Sequence, residues 1–264
     1  MSAPCDVLVV DDEPVVAQAV SKILGAEGMT VDVADQGKAA LEKLAKRSYR
    51  LIICDIMMAD VDGFQFLAEL ARRRLATPVV MATGYATVEN AVRSLTCGAA
   101  DFIAKPFTAE EILAVARRAL RCGELQRDAA RAGRRDSLAF VPCPPKYYRL
   151  GCVSWVKAED AGTVLVGLND MFLKALERIE SIELAPVHDE VVQGVSCASI
   201  ASPGGTSGVM CPVTGRIVEV NDAAKRDPMA VEKDPYFEGW LYRVVPTDLQ
   251  SDLQRLIPCS SDRM

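Results

Sequence analysis

Three aspartates stand directly after two short apolar runs of the chain. Asp11 and Asp12 follow the run 7–10, and Asp55 follows the run 51–54. Apolar runs this short, rich in Val, Leu and Ile, are typical of strands buried on both faces of a parallel sheet. Because the carboxyl ends of parallel strands lie at one edge, we expect the three carboxylates to meet there. Carboxylates that close together need a cation or a proton to balance their charge.

An acidic cluster of this kind suits phosphoryl transfer. A carboxylate can accept a phosphoryl group as an acyl phosphate, and the reaction depends mainly on placing and neutralising oxygen atoms. Mg²⁺, or Mn²⁺ in its place, takes oxygen ligands. Asp12 and Asp55 would bind the ion directly, while Asp11 would hold a coordinated water. The backbone carbonyl of Met57 would add a further ligand.

Two more polar side chains follow other apolar runs of the same half. Thr83 follows the run 78–82, and Lys105 comes shortly after the run 100–103. A hydroxyl can donate a hydrogen bond to one phosphoryl oxygen, and an ammonium can pair with another. We expect both groups at the edge that carries the aspartates.

The elements that position these residues alternate between strand and helix. The patterns predict strands at 7–10, 30–33, 51–54, 78–82 and 100–103, and helices at 14–26, 37–46, 64–74, 87–95 and from 109 onward. Thr108 and Glu111 form a capping box at the start of the last helix. Five such units predict a doubly wound α/β fold with a five-stranded parallel sheet.

These residues, in this order, resemble the receiver domain of bacterial two-component response regulators. The matching segments are 9–14, 55–58, 62–63, 83–84 and 98–106. The resemblance implies a flavodoxin-like receiver with Asp55 as the phosphoacceptor and a sensor histidine kinase as partner. Ala59 departs from the pattern, because the family usually has proline there, and the change affects the loop after Asp55 rather than the chemistry.

The resemblance also implies a role for each of the other site residues. Asp11 and Asp12 are the acidic pair, Thr83 is the switch hydroxyl and Lys105 is the lysine common to the family. Phe102 stands at the position of the rotating switch aromatic. It lacks a hydroxyl, so it can signal only through packing. The face formed by helix 4, strand 5 and helix 5 is then the surface that shifts, and it is a candidate homodimer contact.

A change of composition separates this half from the rest. Residues 124–135, rich in Ala, Arg and Glu, predict a solvated extension of the last helix that frays near Gly133. Three prolines between 142 and 145 indicate a linker. We therefore predict a receiver domain at 1–123, a helical extension and linker at 124–146, and a second domain at 147–264.

The second domain reads as mostly β. The pattern predicts short strands at 153–156, 164–166, 182–184, 195–200, 208–211, 217–220 and 240–244, and helices at 169–179, 222–231 and 248–256. Short strands separated by turn residues are typical of a sandwich or barrel. Without the order of the segments, these residues indicate only an acidic β-rich module with no evident catalytic set.

The order of the segments resembles the H protein of the glycine cleavage system. Segments 154–156, 163–170, 189–194, 211–221 and 234–241 match in sequence. The resemblance implies a lipoyl-type hybrid barrel-sandwich domain with a protruding hairpin. In that family a lysine at the hairpin tip carries lipoyl, but Gly204 occupies the position here, and no lysine occurs between Lys174 and Lys225. We therefore expect no lipoate on this domain.

Composition argues against several other functions. Residues 146–264 carry 12 basic and 17 acidic side chains and the whole chain has a net charge of −6, so a nucleic-acid-binding domain is disfavoured. No apolar run approaches a membrane span, and no secretory signal precedes residue 7, which predicts a cytoplasmic protein. Nine cysteines without a CxxC pair indicate reduced thiols. We find no nucleophile and base that would make the second domain an enzyme.

The combined prediction is a response regulator that relays phosphorylation of Asp55 to a protein-binding output. The protein target of the second domain is not specified by the sequence. Two alternatives remain open. One is a redox-responsive adaptor based on Cys197 and Cys211, which are each seven residues from Gly204. The other is a scaffold that acts without phosphorylation.

Overall fold

A five-stranded sheet with helices on both faces forms the N-terminal domain. The computed structural model describes residues 5–132 and 139–259. The strands are β1 (Cys5–Val10), β2 (Val31–Ala34), β3 (Tyr49–Asp55), β4 (Val79–Thr83) and β5 (Asp101–Ala104). The helices are α1 (Pro14–Ala26), α2 (Gly37–Lys46), α3 (Gly63–Arg72), α4 (Val88–Thr96) and α5 (Ala109–Ala132). All strand pairs are parallel, in the order β2-β1-β3-β4-β5, which confirms the predicted doubly wound sheet.

Two apolar layers hold this sheet between its helices. One face of the sheet packs against α1 and α5, and the other packs against α2, α3 and α4. The strands are therefore buried on both sides, as their continuous apolar sequence indicated. Asp55 is the last residue of β3 and Thr83 the last of β4, while Asp11 and Lys105 come directly after β1 and β5. The sheet thus delivers four polar side chains to one edge.

Helix α5 is longer than the other helices of this domain. The predicted capping box is confirmed, because the Thr108 N–H donates to Glu111 at 2.7 Å and the Glu111 N–H donates to the Thr108 hydroxyl at 3.2 Å. The helix continues for 24 residues. Its predicted solvation is wrong at Leu125, which is buried. Gly133, where we predicted fraying, and residues 136–138 of the predicted linker lie outside the described residues.

Two antiparallel sheets form the C-terminal domain and confirm its β-rich class. The larger sheet has the order β10-β13-β14-β8-β7-β6-β15, and the smaller has the order β12-β11-β9. The strands are β6 (Tyr148–Leu150), β7 (Ser154–Ala158), β8 (Val164–Leu168), β9 (Ser181–Leu184), β10 (Glu190–Val191), β11 (Ser196–Ser202), β12 (Gly205–Met210), β13 (Gly215–Val220), β14 (Trp240–Pro246) and β15 (Ile257–Pro258). The helices are α6 (Asp170–Ala175), α7 (Asp222–Arg226), α8 (Pro228–Lys233) and α9 (Leu249–Gln254).

Two helix predictions in this domain are corrected. The helix predicted over 169–179 ends at Ala175, and Glu177 then takes a φ of 66°, which the α-helix cannot accommodate. The helix predicted over 222–231 is two helices, because Pro228 starts α8 and Asp227 caps it by accepting the Met229 N–H. Within residues 5–132 and 139–259, no helix combines the length and apolar character of a membrane span.

The two domains share an apolar contact. Val92 and Leu95 of α4 belong to the hydrophobic core of the C-terminal domain. The C-terminal domain approaches α4 so closely that two of its positions have no room for a Cβ atom. A Cβ on Gly194 would lie 2.7 Å from the Val92 side chain, and one on Gly151 would lie 3.0 Å from Leu95. The α4 face of the first domain is therefore covered by the second.

Candidate functional site

A lysine bridges two buried carboxylates at the carboxyl edge of the parallel sheet. The Lys105 Nζ lies 2.8 Å from Asp11 Oδ2 and 3.1 Å from Asp55 Oδ2. Both aspartates are 4 % exposed. A Cβ on Gly63, the first residue of α3, would lie 2.4 Å from the Asp55 carbonyl oxygen, so glycine is what allows α3 to approach the end of β3.

The acidic cluster offers oxygen ligands to a divalent cation. One carboxylate oxygen from each of Asp11, Asp12 and Asp55 lies within 4.8 Å of the others. The buried Oδ1 of Asp55 accepts no hydrogen bond from the residues that the structure describes. An orphaned buried oxygen beside two other carboxylates fits a hard cation such as Mg²⁺. The Met57 side chain is exposed, and the role of its carbonyl as a ligand stays a prediction.

Burial controls the ionisation of this cluster. Burial raises the pKa of Asp55, and the charge of Asp11 raises it further, although Lys105 and the Met57 N–H partly offset the shift. Burial by itself would lower the pKa of Lys105. The hydrogen bonds to Asp11 and Asp55 and their negative charges outweigh that effect, so the pKa of Lys105 is raised. Lys105 therefore stays a cation, and its charge balances part of the negative charge of the two buried carboxylates beside it.

Replacing Asp55 by asparagine is expected to stabilise the chain at pH 7 when divalent ions are chelated. The folded pKa of Asp55 is raised, so its carboxyl favours folding only while protonated, and that contribution is lost as pH rises through the folded pKa. Asparagine is neutral throughout. The gain should be about 1 kcal/mol, or roughly 2–4 °C in Tm, and should vanish at acid pH.

Thermal unfolding between pH 3 and 8 measures this gain. Asp128→Asn, an exposed carboxylate on α5, is the matched control and should leave Tm unchanged. A gain from Asp55→Asn that is independent of pH would contradict the assignment.

The predicted switch residues are both buried. Thr83 is fully buried, and its hydroxyl oxygen accepts the Tyr85 N–H at 3.1 Å. Phe102 is 9 % exposed and packs inward in the same apolar cluster as Met81 and Ala91. Met210 of the C-terminal domain packs against this cluster. Phe102 thus belongs to a cluster that the second domain contacts.

The β11–β12 hairpin presents Gly204 at its tip. Ser202 pairs with Gly205, which leaves Pro203 and Gly204 as a two-residue turn. Gly205 has a φ of 113°, a conformation that favours glycine. The residues of the tip are exposed. The tip lies beside α5, since a Cβ on Gly205 would lie 3.8 Å from the Ala114 Cβ.

Comparison with known proteins assigns both halves. The family model "Response regulator receiver domain" matches residues 7–117, and the model "Glycine cleavage H-protein" matches residues 146–261. The chain joins a receiver domain to an H-protein domain. It thus belongs to the receiver family through its first half and to the H-protein family through its second, as the two resemblances predicted.

The relatives match one half each. Regulatory protein AtoC of Escherichia coli (strain K12) is 34 % identical over 128 residues, which are 48 % of this chain and 28 % of AtoC. The glycine cleavage system H protein of Psychrobacter sp. (strain PRwf-1) is 38 % identical over 120 residues, or 46 % of this chain and 93 % of that protein. The solved receiver domain of NtrX from Brucella abortus is 39 % identical, covers 44 % of this chain and 98 % of its own, and has a TM-score of 0.42.

A buried polar network connects the receiver domain to the H-protein domain. Arg118 of α5 donates from Nε to Asp101 Oδ2 at 2.7 Å and from Nη1 to the Ser207 hydroxyl at 2.5 Å. Its guanidinium also lies 5.5 Å from the centre of the Phe172 ring. Arg118 is 8 % exposed and Asp101, at the start of β5, is 4 % exposed. The network thus links β5 and α5 to strand β12 and helix α6.

Sequence reasoning missed this network, although the sequence contains a signal for it. Arg118 lies on the inward stripe of α5, three residues after Val115 and four before Cys122. An arginine in an apolar stripe indicates a buried ion pair rather than a solvated charge. Its partner on β12 is 89 residues away, so no local pattern identifies it.

The cysteines of the redox alternative lie together in the H-protein core. Cys197 and Cys211 are 7 % and 0 % exposed. The neighbouring Cys211 thiol and burial raise the pKa of the Cys197 thiol well above its ordinary value. This pair has the proximity that the alternative requires, but Cys197 lacks the thiolate character of a reactive site.

Proposed function

We propose that the chain is a response regulator whose Asp55 accepts a phosphoryl group from a sensor histidine kinase. The observation that carries this proposal is the buried Asp55 carboxylate, held 3.1 Å from the Lys105 ammonium beside Asp11 and Asp12. A carboxylate oxygen of Asp55 forms the new O–P bond as the N–P bond of a phosphohistidine breaks. The product is an acyl phosphate.

Each neighbouring group has a defined part in that transfer. Asp11, Asp12, Asp55 and the Met57 carbonyl would hold Mg²⁺ or Mn²⁺, which supplies positive charge for the phosphoryl oxygens when bound. Lys105 donates to a phosphoryl oxygen in place of its present bond to Asp55. Thr83 turns its hydroxyl from the Tyr85 N–H toward the new phosphate.

The change reaches the H-protein domain through β5. Thr83 is paired with Ala104 of β5, and the same strand contains Phe102 and Asp101. Movement of Thr83 lets Phe102 repack, which displaces Asp101 and strains its buried pair with Arg118. We propose that this loosens the H-protein domain, which acts as a protein-binding output without enzymatic activity. The freed α4–β5–α5 face is then open to the predicted homodimer contact.

Radiolabelled acetyl phosphate tests the phosphoacceptor. The wild type should take up acid-labile label that depends on Mg²⁺, and Asp55→Asn should take up none. Asp128→Asn is the control for loss of a carboxylate elsewhere and should label as the wild type does. Hydrogen exchange should then increase in β12 and α5 of the labelled protein. Equal labelling of the wild type and Asp55→Asn would refute the proposal.

We further propose that the H-protein domain carries no lipoate. Gly204 offers no amine at the hairpin tip, and no lysine of the sequence falls between residues 174 and 225. After incubation with a lipoyl ligase, ATP and lipoate, the intact mass should be that of the unmodified chain. An authentic H protein in the same mixture should gain one lipoyl group, and a gain in this chain would overturn the proposal.

A further inference from the structure

Two thiols from different domains lie side by side at the domain interface. Cys122 is on α5 of the receiver domain and is 1 % exposed. Cys152 lies between β6 and β7 of the H-protein domain and is partly exposed. Both line the same cavity along the seam, and each thiol is the largest influence on the pKa of the other, so the two side chains are close neighbours. They are 30 positions apart in sequence, with the predicted linker between them.

Close packing holds this pair in place. The Cys152 Sγ lies 3.2 Å from the carbonyl oxygen of Ala100, the residue before β5. The preceding Gly151 packs directly on Leu95 of α4. On the other side, Gly123 packs on Pro78, where a Cβ would approach to 2.8 Å. The thiols therefore stay adjacent for as long as the two domains remain docked.

A cavity borders both cysteines. It runs along the seam between the domains, has a volume of about 570 Å³ and is lined by Cys122 and Cys152 among other residues. A water-sized molecule occupies about 30 Å³, so hydrogen peroxide can enter. Cys197 and Cys211 are not among the residues that line this cavity.

The two thiols differ in acidity. The Cys122 thiol lowers the pKa of Cys152, and the guanidinium groups of Arg118 and Arg149 lower it further against burial and the charge of Asp101. The Cys152 thiol and burial raise the pKa of Cys122. Exposure points the same way, because Cys152 is partly exposed and Cys122 is 1 % exposed, so we assign Cys152 as the thiol that peroxide reaches first and Cys122 as the resolving thiol.

We propose that Cys122 and Cys152 are a peroxide-sensitive dithiol whose disulfide ties the receiver domain to the H-protein domain. The Cys152 thiolate attacks one oxygen of hydrogen peroxide, the O–O bond breaks, and the departing hydroxide takes a proton from solvent to become water. The resulting sulfenic acid is attacked by the Cys122 sulfur. An S–S bond forms, the S–O bond breaks, and the thiol proton leaves with the hydroxyl as a second water. Two thiols lose two electrons, and one peroxide becomes two waters.

The disulfide would hold the domains together whatever the state of Asp55. The inference depends on the domain contact and not on phosphoryl transfer, so Asp55→Asn should form the same bond. The disulfide would close a loop that includes the linker. A signal that broke the other contacts between the two domains could then not separate them.

Peptide mapping of the full chain after exposure to hydrogen peroxide tests the proposal. Free thiols are alkylated, the protein is denatured and digested with trypsin, and the peptides 122–127 and 150–157 are sought as a linked pair. We expect most of the wild type to contain this link, and a low-molecular-weight dithiol to reverse it. Cys97→Ser removes an exposed thiol that would join separate chains, and should leave the link unchanged.

Variants identify the order of the two steps. Cys122→Ser should accumulate a sulfenic acid at Cys152 that a dimedone probe captures, whereas Cys152→Ser should slow oxidation of Cys122 at least tenfold. The peptide map of the wild type tests the disulfide even if neither variant folds. The proposal is overturned if both thiols stay fully alkylatable after peroxide, or if either one links to Cys143 or to another cysteine instead.

Discussion

Arg118→Met should destabilise the chain by about 3–5 kcal/mol, because it leaves a buried carboxylate without its cation. Asp101 is 4 % exposed and takes its charged hydrogen bond from Arg118 at 2.7 Å. The Phe102 N–H, at 2.8 Å, is a remaining donor but carries no charge. Methionine keeps the apolar stem of the side chain, so the loss is of charge and hydrogen bonds rather than of volume.

The same substitution should loosen the two domains from one another. Arg118 also donates to Ser207 at 2.5 Å, a bond between the receiver and H-protein domains. We expect a lower urea midpoint, a larger radius of gyration in X-ray scattering, and faster cleavage in the region of the linker by a protease. These changes should appear without any phosphodonor.

Two controls separate the charge from the contact. Ser207→Ala removes only the bond between domains and should cost about 1 kcal/mol. Arg117→Met removes the exposed neighbouring arginine, which pairs with Glu27 at the surface, and should cost less than about 1 kcal/mol. If Arg118→Met unfolded at the same urea concentration as Arg117→Met, the buried network would have no structural importance.

Lys105→Met should slow phosphorylation of Asp55 by about 10²-fold or more, since it removes a positioned donor from the charge that develops in the transition state. The ammonium is also the cation that offsets the burial of Asp55 and Asp11, from which it lies 3.1 and 2.8 Å away. Without it the pKa of Asp55 rises further than burial already raises it. A larger fraction of Asp55 is then protonated and cannot attack.

The pH dependence distinguishes this explanation from simple misfolding. Asp55 attacks as a carboxylate, so the rate of labelling by acetyl phosphate should rise with pH through its folded pKa. In Lys105→Met the same rise should appear at higher pH, whereas Lys38→Met, which removes an exposed lysine, should label with the wild-type profile. An unshifted profile with a lower rate would show that Lys105 contacts the phosphate but does not set the ionisation of Asp55.

The cluster of Asp11, Asp55, Thr83 and Lys105 was predictable because its geometry follows from local patterns. Asp11, Asp55, Thr83 and Lys105 each come at or just after the end of a parallel strand, and parallel strands end at one edge. The prediction of a single helix over 169–179 was wrong because it depended on the same kind of local pattern. The apolar spacing of Leu173, Leu176 and Ile179 persists, and all three are buried, yet a backbone reversal at Glu177 changes the structure without changing the pattern.

The docking of the two domains was not predictable in the same way. It depends on residues such as Arg118 and Ser207, or Gly194 and Val92, which meet only after both domains have folded. Three strands also went unpredicted, β6, β10 and β15, because two or three residues are too few to show an alternating pattern.

Helix α5 makes contacts in both domains. It starts four residues after Lys105 and runs unbroken for 24 residues along the H-protein domain, a length of about 36 Å. A tilt of about 5° at the end nearest Asp55 would move the far end by about 3 Å, a little more than half the pitch of the helix. Because α5 is one continuous helix with contacts in both domains, a shift at its first turn would be carried along it to the contacts with β12 and α6.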